Sequence, residues 1–293
     1  KFVGYEDISI ESEVFHIEKS GSNNIIFTKE NPFYYEAGGQ ISDKGYIEIN
    51  DKTINVDGVV ESDNGSIGLL VNSAEIKTGD YISLNVDSEF RSAVSKSHTA
   101  AHIVHSSLRN ILGEHVAQAG SHVAPGKFRF DFSHTEKVNN EELDEIFQMS
   151  NNNIYKDLIV KTDVMNIEKA KEEGALAFFG DKYEDDVRVV NIGNFSKELC
   201  GGTHVHNSNE VGLIVLINES SIGSNLRRVE MLSGYQAYNF INNAYRSYKS
   251  VSDLLQTNID QVPVKLKSFI ESYENMKDKI DAYNKAVSYT HLT

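Results

Sequence analysis

The sequence predicts an α+β protein with a small N-terminal β-barrel, a mixed core and a C-terminal helical extension. Residues 1–90 contain short strand patterns between turn residues, which indicates an all-β domain. Residues 91–235 mix strand and helix patterns without strict βαβ alternation, which indicates an α+β core. Residues 236–293 contain few helix breakers and continue a helical pattern nearly to the end. We therefore predict three domains at 1–90, 91–235 and 236–293.

The N-terminal domain is predicted to be a small barrel or sandwich, of which we expect the barrel. Turn residues separate its strand patterns at short intervals, as at residues 21–23 and 78–80. Many short strands at close spacing are typical of both architectures. The strand patterns, which are partly alternating or rich in β-branched residues, cover 9–17, 24–28, 45–49, 53–56 and 81–86.

Helices and strands follow one another irregularly in the core. A helix is expected at 97–112, ended by Gly113 in the position after a helix that favours glycine. Asn139 or Asn140 is a suitable N-cap for a second helix that continues to residue 155. A short helix is expected at 168–174, and strand patterns cover 128–132, 159–164, 187–192 and 212–219.

The C-terminal extension is predicted to consist of two helices. The first covers 238–255, and the second covers 264–287 after Pro263, which suits a helix start. Both helices are polar, and the second ends abruptly. We therefore expect the beginning of a longer coiled or bundled region. Because the chain begins with Lys1 rather than Met, it is expected to be a piece of a longer protein, with a removed tag as the alternative.

The bulk composition of the 293-residue chain excludes several classes of protein. Cys200 is the only cysteine, so an internal disulfide is impossible and a reducing, cytoplasmic setting is expected. No apolar run approaches the roughly 20 residues of a membrane span, so no membrane partner is expected. The formal net charge of −15 argues against a general nucleic-acid binder, so any RNA contact is expected to be local.

The strongest chemical signal is a pair of histidines in the predicted helix at 97–112. His98 and His102 are four residues apart, and a helical repeat of about 3.6 residues places them on one face. They can therefore share a metal ion, with His105 near the same face. No glutamate follows His98, which excludes the metalloprotease arrangement. A pair of ordinary surface or core histidines is the alternative for this pattern taken alone.

A second pair of candidate ligands follows the predicted strand at 187–192. Cys200 and His204 are separated by Gly201, Gly202 and Thr203, and thiolate and imidazole are both good zinc ligands. The two glycines permit a tight turn with positive φ that brings Cys200 and His204 to one point. A buried cysteine beside a glycine turn is the alternative for this segment alone. Together the two pairs supply three imidazoles and a thiolate, which suits tetrahedral zinc.

These pairs resemble the His-x3-His and Cys-x3-His pairs of the editing domain of alanyl-tRNA synthetases, which free-standing relatives and threonyl-tRNA synthetases share. The resemblance runs in order from residue 2 to residue 234 and includes a glycine-rich motif at 33–40. It implies a core of the second-additional-domain type found in threonyl- and alanyl-tRNA synthetases. The other similar segments are 112–121, 129–134, 174–183, 198–205 and 227–230.

The resemblance also implies an activity, which is hydrolysis of tRNA(Ala) mischarged with serine or glycine. The implied cofactor is Zn²⁺, and the implied partners are this tRNA and the remainder of a parent alanine–tRNA ligase. The ATP-binding and charging core is expected outside this chain, as is a C-terminal region through which the parent oligomerises. The implied metal ligands are His98, His102, Cys200 and His204.

The remaining site residues come from the same resemblance. Gln118 is implied as a polar group near the aminoacyl moiety, and we take Gln118, His98 and Cys200 as the catalytic residues. Gly38, Gly39 and Gln40 are expected to form a loop that faces the site, with a barrel turn as the alternative. The substrate or tRNA is also expected to contact Arg227 and Arg228, for which pairing with acidic groups is the alternative.

One position departs from the family pattern. The family often has threonine after the aspartate of the glycine-rich motif, whereas here Lys44 follows Asp43. If that hydroxyl positions substrate, another group such as Ser42 must replace it. Two other functions remain open on the sequence alone, namely a free-standing trans-editing deacylase and a structural zinc module that binds tRNA or protein without catalysis.

Overall fold

A computed structural model describes residues 1–62, 65–177 and 185–290, with side chains to residue 285. The chain forms two compact units, Lys1–Ala237 and Tyr238–Thr293. The predicted α+β class is confirmed, as are the N-terminal barrel and the helical C-terminal region. The similar segment at 174–183 extends into residues 178–184, which lie outside the described residues.

The barrel consists of six antiparallel strands in the closed order β1-β2-β5-β4-β3-β6. Alternate side chains fill its interior, among them Val14, Leu69 and Leu84, which are fully buried. Strand β5 was not predicted, because its sequence Ile-Gly-Leu-Leu-Val does not alternate between apolar and polar residues. The strands are β1 (Ser9–Ser20), β2 (Asn23–Thr28), β3 (Gly45–Ile49), β4 (Lys52–Glu61), β5 (Ile67–Val71) and β6 (Tyr81–Val86).

Two sheets and three helices follow the barrel within the first unit. Four strands pair in the order β12-β13-β8-β7, and three pair in the order β11-β10-β9. The helices are α1 (Ser88–Leu112), α2 (Asn140–Tyr155) and α3 (Ile167–Glu172). The strands are β7 (Gln118–Ala124), β8 (Lys127–Ser133), β9 (Val160–Asn166), β10 (Asp186–Ile192), β11 (Ser196–Leu199), β12 (Ile214–Gly223) and β13 (Leu226–Ser233).

Helix α1 is the central element of the first unit. It begins at Ser88 rather than at residue 97, because Asp87 caps it by accepting a 3.0 Å hydrogen bond from the Phe90 amide. Its apolar face, including Ile103 and Leu108, packs in the same core as the three phenylalanines of β8. Because most of α1 is buried, the polar side chains along it need partners inside the protein.

A buried ion pair connects the barrel to α1. The Arg91 guanidinium donates to both oxygens of Asp43 and to the carbonyls of Gly4 and Pro32. The side chains of Arg91 and Asp43 are almost fully buried. Removing one partner from such a pair leaves an uncompensated buried charge, so this contact fixes α1 against the barrel.

The second unit contains the C-terminal helices, as predicted. Helix α4 covers Gly234–Leu254 and α5 covers Val262–Thr290. Both present large exposed apolar side chains, among them Leu254 and Phe269. Among the described helices, none combines the length and apolar character that crossing a membrane requires.

Candidate metal centre

Four potential ligands meet at one buried point in the first unit. His98 and His102 lie on α1, and Cys200 and His204 lie in the loop after β11. One ligand atom from each residue lies within 4.8 Å of all the others. The Cys200 Sγ is 3.4 Å from Nε2 of His98 and 3.4 Å from Nε2 of His204. Three imidazoles and a thiol are a donor set that suits zinc.

The loop geometry differs from the prediction in one respect. Neither Gly201 nor Gly202 has a positive φ, so the proposed reason for these glycines is wrong. A Cβ on Gly202 would lie 2.1 Å from Cε1 and 2.2 Å from Nδ1 of His98. Glycine is required at position 202 because the His98 ring packs directly on the backbone. At position 201, a Cβ would meet only the Tyr5 hydroxyl, at 4.0 Å.

Each ligand imidazole directs its other nitrogen at an oxygen. Nδ1 of His98 is 2.7 Å from Oε1 of Gln40, and Nδ1 of His204 is 3.1 Å from the Thr99 hydroxyl. Nδ1 of His102 is 3.7 Å from a carboxylate oxygen of Glu198. The partners of His98 and His204 fix the tautomer that keeps the proton on Nδ1 and leave Nε2 free for a metal ion. Glu198 is too far from His102 for a hydrogen bond.

The electrostatics of the cluster favour a thiolate at Cys200. Burial alone would raise the pKa of Cys200, but His98, His102 and His204 hold it well below its usual value. The Gly202 amide also donates to Sγ at 3.3 Å. Burial, stronger than the attraction of Cys200, lowers the pKa of His204 to about 3, so this ring is neutral and able to bind a metal ion.

A buried carboxylate supports the second histidine of α1. Burial would raise the pKa of Glu198, but His102 and His105 lower it to about 2, and the Ser196 hydroxyl donates to Oε1 at 2.9 Å. Burial lowers the pKa of His102, yet Glu198 and Cys200 outweigh it and raise the value to about 9. Within the described residues, neither ring nitrogen of His102 has a hydrogen-bond partner. A buried ring without a partner fits a metal ligand.

The glycine-rich motif reaches this centre through one side chain. Gly38 and Gly39 have φ values of 58° and 81°, and Val123 of β7 donates to the Gly39 carbonyl at 2.7 Å. This turn directs Gln40 inward, where it is fully buried. Its Oε1 also accepts the Thr203 amide at 2.9 Å, and its Nε2 donates to the Thr203 hydroxyl. Gln40 therefore orients His98 and the Cys200 loop, and its contact with a substrate or tRNA stays a prediction.

Two regions of the chain match known protein families. Residues 187–230, which contain Cys200 and His204, match the family described as threonyl and alanyl tRNA synthetase second additional domain. Residues 1–90 match the family described as tRNA synthetases class II (A). The predicted type of core is thus confirmed.

Individual relatives cover nearly the whole chain. Alanine–tRNA ligase of Listeria monocytogenes serotype 4b (strain F2365) is 38% identical over 94% of the chain. Alanine–tRNA ligase of Bacillus subtilis (strain 168) is 40% identical over 89% of it. The chain is an alanyl-tRNA synthetase region. It covers 33% of the Listeria protein and 31% of the Bacillus protein, so it spans about one third of the length of these curated relatives.

Three further predicted residues of this synthetase region make no described hydrogen bond to the four ligands. Gln118 is the first residue of β7, and its amide donates to the Ser121 hydroxyl at 3.1 Å. Arg228 makes a bidentate pair with Asp131 at 2.7 and 2.8 Å, and Arg227 pairs with Glu219. Both arginines thus have acidic partners within the fold, and their contact with tRNA stays a prediction.

Lys44, which departs from the synthetase pattern, lies at the start of α1 rather than at the metal centre. The Lys44 ammonium is 5.3 Å from the ring centroid of Phe90, in the first turn of α1. Its carbonyl accepts the Asp87 amide at 2.8 Å, which supports the start of the helix. At a rise of about 1.5 Å per residue, Phe90 and His98 are separated by about 12 Å along α1. A side chain at position 44 therefore acts at the N-terminus of α1.

Sequence reasoning missed the residues that hold the Cys200 loop in place. Arg188 of β10 donates to the carbonyls of Cys200 and Gly202 at 2.8 and 2.7 Å. The Tyr5 hydroxyl donates to the carbonyl of Gly201, between them. No local pattern identifies these residues. Glu198 did carry a signal, because it is two residues before Cys200 and side chains at that spacing in a strand point to the same side.

Replacing Gln40 with leucine is expected to weaken metal binding by roughly 10- to 100-fold. The change removes the oxygen that holds Nδ1 of His98, and loss of such a partner has this effect on metal sites. Competition with a chromogenic chelator measures the affinity. The matched control is Gln118→Leu, because Gln118 makes no described hydrogen bond to a ligand. Equal losses in the two variants would contradict the role assigned to Gln40.

Proposed function

We propose that this chain is the editing region of an alanine–tRNA ligase and hydrolyses tRNA(Ala) mischarged with serine or glycine. The observation that carries the proposal is the convergence of His98, His102, Cys200 and His204 on one buried point. Its relatives, which are alanine–tRNA ligases, support the same conclusion. The parent enzyme would supply the ATP-dependent charging of tRNA(Ala) and act in the cytoplasm.

The donor set favours Zn²⁺ as the metal ion. Thiolate and imidazole ligands together select zinc over magnesium or calcium, which prefer oxygen. The low pKa of Cys200 keeps the thiolate available. Gln40 and Thr99 hold the rings of His98 and His204, and the Glu198 carboxylate lies 3.7 Å from the ring of His102. When bound, zinc supplies Lewis-acid chemistry that polarises a carbonyl or lowers the pKa of water.

In this proposal, the residues of the chain bind and orient the substrate. Four protein ligands would fill a tetrahedral set around zinc and leave no position for water, so we assign the surrounding residues to orientation of the aminoacyl ester. Because the site is buried against α1, its polar groups are held in place before the substrate arrives. Preorganised groups in a site that excludes water strengthen electrostatic stabilisation of the transition state. Gln118 remains the proposed polar contact to the aminoacyl group.

Specificity for serine follows from the limits of the charging site. A hydrophobic pocket built for alanine rejects an added hydroxyl by only about 10²-fold. A second site that binds the hydroxyl discriminates more strongly, because alanine leaves polar groups there without partners. Glycine is smaller than alanine and enters the charging pocket without a steric penalty. An editing site therefore removes errors that the first site cannot prevent.

A deacylation assay tests this proposal. The zinc-loaded chain is expected to hydrolyse Ser-tRNA(Ala) and Gly-tRNA(Ala), and Ala-tRNA(Ala) at least about 10²-fold more slowly than Ser-tRNA(Ala). A chelator should abolish turnover, and added zinc should restore it. Equal rates with serine and alanine would argue against editing.

The second candidate is a structural zinc module without catalysis. It is favoured by the count of four protein ligands, since structural zinc sites are closed in this way. In that case the chelator should lower the unfolding temperature, while the zinc-loaded chain should leave Ser-tRNA(Ala) intact. The assay above therefore separates the two functions.

A further inference from the structure

A cleft of about 590 Å³ opens beside the metal centre. It lies between the segment before β1, strand β9 and the loop after β11, all within the first unit. One of the four ligands, His204, forms part of its wall. Clefts of this size accommodate small molecules or the end of a larger one. Its other lining residues include Tyr5, Val164, Arg188, Thr203 and His206.

The cleft contains a cation without an acidic partner. Arg188 donates to two carbonyls and, at 3.3 Å, to the Thr162 hydroxyl, and it forms no ion pair within the described residues. The other lining arginine, Arg91, is neutralised by Asp43. Among the described residues, Glu6 is the only carboxylate in the lining. In a chain with a formal charge of −15, an arginine left without a carboxylate marks a local site for an anion.

An aromatic ring lies directly against this cation. The Arg188 guanidinium is 4.0 Å from the ring centroid of Tyr5, and 45% of the Tyr5 surface is exposed. Aromatic rings and guanidinium planes are the surfaces on which proteins stack unpaired bases. A positive charge and a stacking surface within one cleft are the combination that recognises a nucleotide.

We propose that this cleft binds the terminal nucleotide of the charged RNA, with its phosphate at Arg188 and its base against Tyr5. The assignment rests on the proposed function, because the ester attached to that nucleotide would then lie toward His204. It deepens that function by naming a subsite that holds the nucleotide and is separate from the metal ligands. Arg188 has a second task, since it also fixes the carbonyls of Cys200 and Gly202.

Val164 provides a test that leaves Arg188 and the loop intact. Val164 pairs with Arg188 across β9 and β10 and is 72% exposed, so a longer polar side chain fits there. Val164→Glu places a carboxylate directly opposite the guanidinium, and Val164→Gln has the same shape without the charge. Tyr155→Glu, on a residue that is 67% exposed and outside the cleft, controls for the added negative charge.

The Glu variant is expected to raise KM for Ser-tRNA(Ala) about tenfold relative to the Gln variant, because one charge-assisted contact is lost. Its kcat should change less than its KM, and Tyr155→Glu should retain the KM of the unaltered chain. Zinc content and circular dichroism are expected to be equal in all variants. Equal KM values for the Glu and Gln variants, with deacylation retained, would overturn the subsite and leave the proposed function standing.

A titration with adenosine 5′-monophosphate tests the cleft independently of turnover. The zinc-loaded chain is expected to bind this nucleotide about tenfold more tightly than Val164→Glu does. Tyr5→Phe keeps the ring and loses the hydroxyl, so it should bind the nucleotide better than Tyr5→Leu. If the unaltered chain binds it no better than Val164→Glu, the cleft assignment is wrong whatever the deacylation rates.

Discussion

Replacing Gly202 with alanine is expected to weaken metal binding by about 10²–10³-fold, whereas the same replacement at Gly201 should preserve it. The new methyl group at 202 would lie 2.1 Å from the His98 ring and 2.9 Å from Oε1 of Gln40. Neither can retreat easily, because both are buried and hydrogen-bonded to each other. The His98 ring would leave its position, so the loss should equal that of a ligand, about 10²–10³ in affinity.

The Gly201→Ala variant is a matched control, because it adds the same methyl group one residue away. Its nearest non-neighbouring atom is the Tyr5 hydroxyl at 4.0 Å, an ordinary contact distance. Both glycines have negative φ, so neither alanine variant introduces the strain of a left-handed backbone conformation. Metal content by elemental analysis after dialysis distinguishes them. Normal zinc retention by Gly202→Ala would show that the His98 ring does not pack on this loop as described.

Removing the thiol in Cys200→Ala is expected to abolish deacylation of Ser-tRNA(Ala) while leaving the fold mostly intact. Zinc-binding free energies of about 10–16 kcal/mol shared by four ligands give roughly 2.5–4 kcal/mol for each. This corresponds to about 10²–10³ in affinity. The variant also loses the negative charge that the three imidazoles attract, so the remaining donors form a weaker site.

Turnover at saturating substrate and zinc content are the measurements for Cys200→Ala, with circular dichroism to verify folding. His122→Ala is a suitable control, since His122 is an exposed histidine of β7 outside the ligand set. Normal turnover by Cys200→Ala would refute the proposed role of the centre. Loss of zinc with deacylation retained would instead separate the metal ion from the chemistry.

Local spacing made the four ligands predictable, although their meeting point was not. His98 and His102 are joined by one turn of helix, and Cys200 and His204 lie within one short loop. Each pair therefore has a signal in its own segment. That the pairs join depends on the packing of α1 against β11 and its loop, which the resemblance supplied and spacing alone did not.

The supporting residues were harder to predict, because their roles arise from distant contacts. Gln40 was expected in a loop that faces the site, but its contact with His98 depends on the packing of its turn on β7. Arg188 and Tyr5 act on the Cys200 loop from another strand and from the N-terminal segment. Gly202 was predicted to permit a positive φ, and this was wrong. The glycine is needed because the ring of His98, about a hundred residues earlier in the chain, fills the space where a Cβ would lie.

Two of the strands that were not predicted lack alternation between apolar and polar residues. Strand β5 is a continuous apolar run with a glycine, and a Cβ on Gly68 would collide with Ile25 and Phe27 in the barrel. The short strand β11 has the sequence Ser-Lys-Glu-Leu, which carries no strand periodicity because Glu198 is buried toward the histidines. In both cases, tertiary packing rather than local pattern determines the strand.

The contact between Gln40 and the Cys200 loop has a consequence for biosynthesis. Gln40 and Thr203 are separated by 163 positions in the chain. At translation rates of about 5–20 residues per second, roughly 8–33 s pass between the synthesis of these two residues. Over that interval the nascent barrel can close, but the four ligands cannot yet meet, so a prematurely terminated product would lack the candidate metal centre.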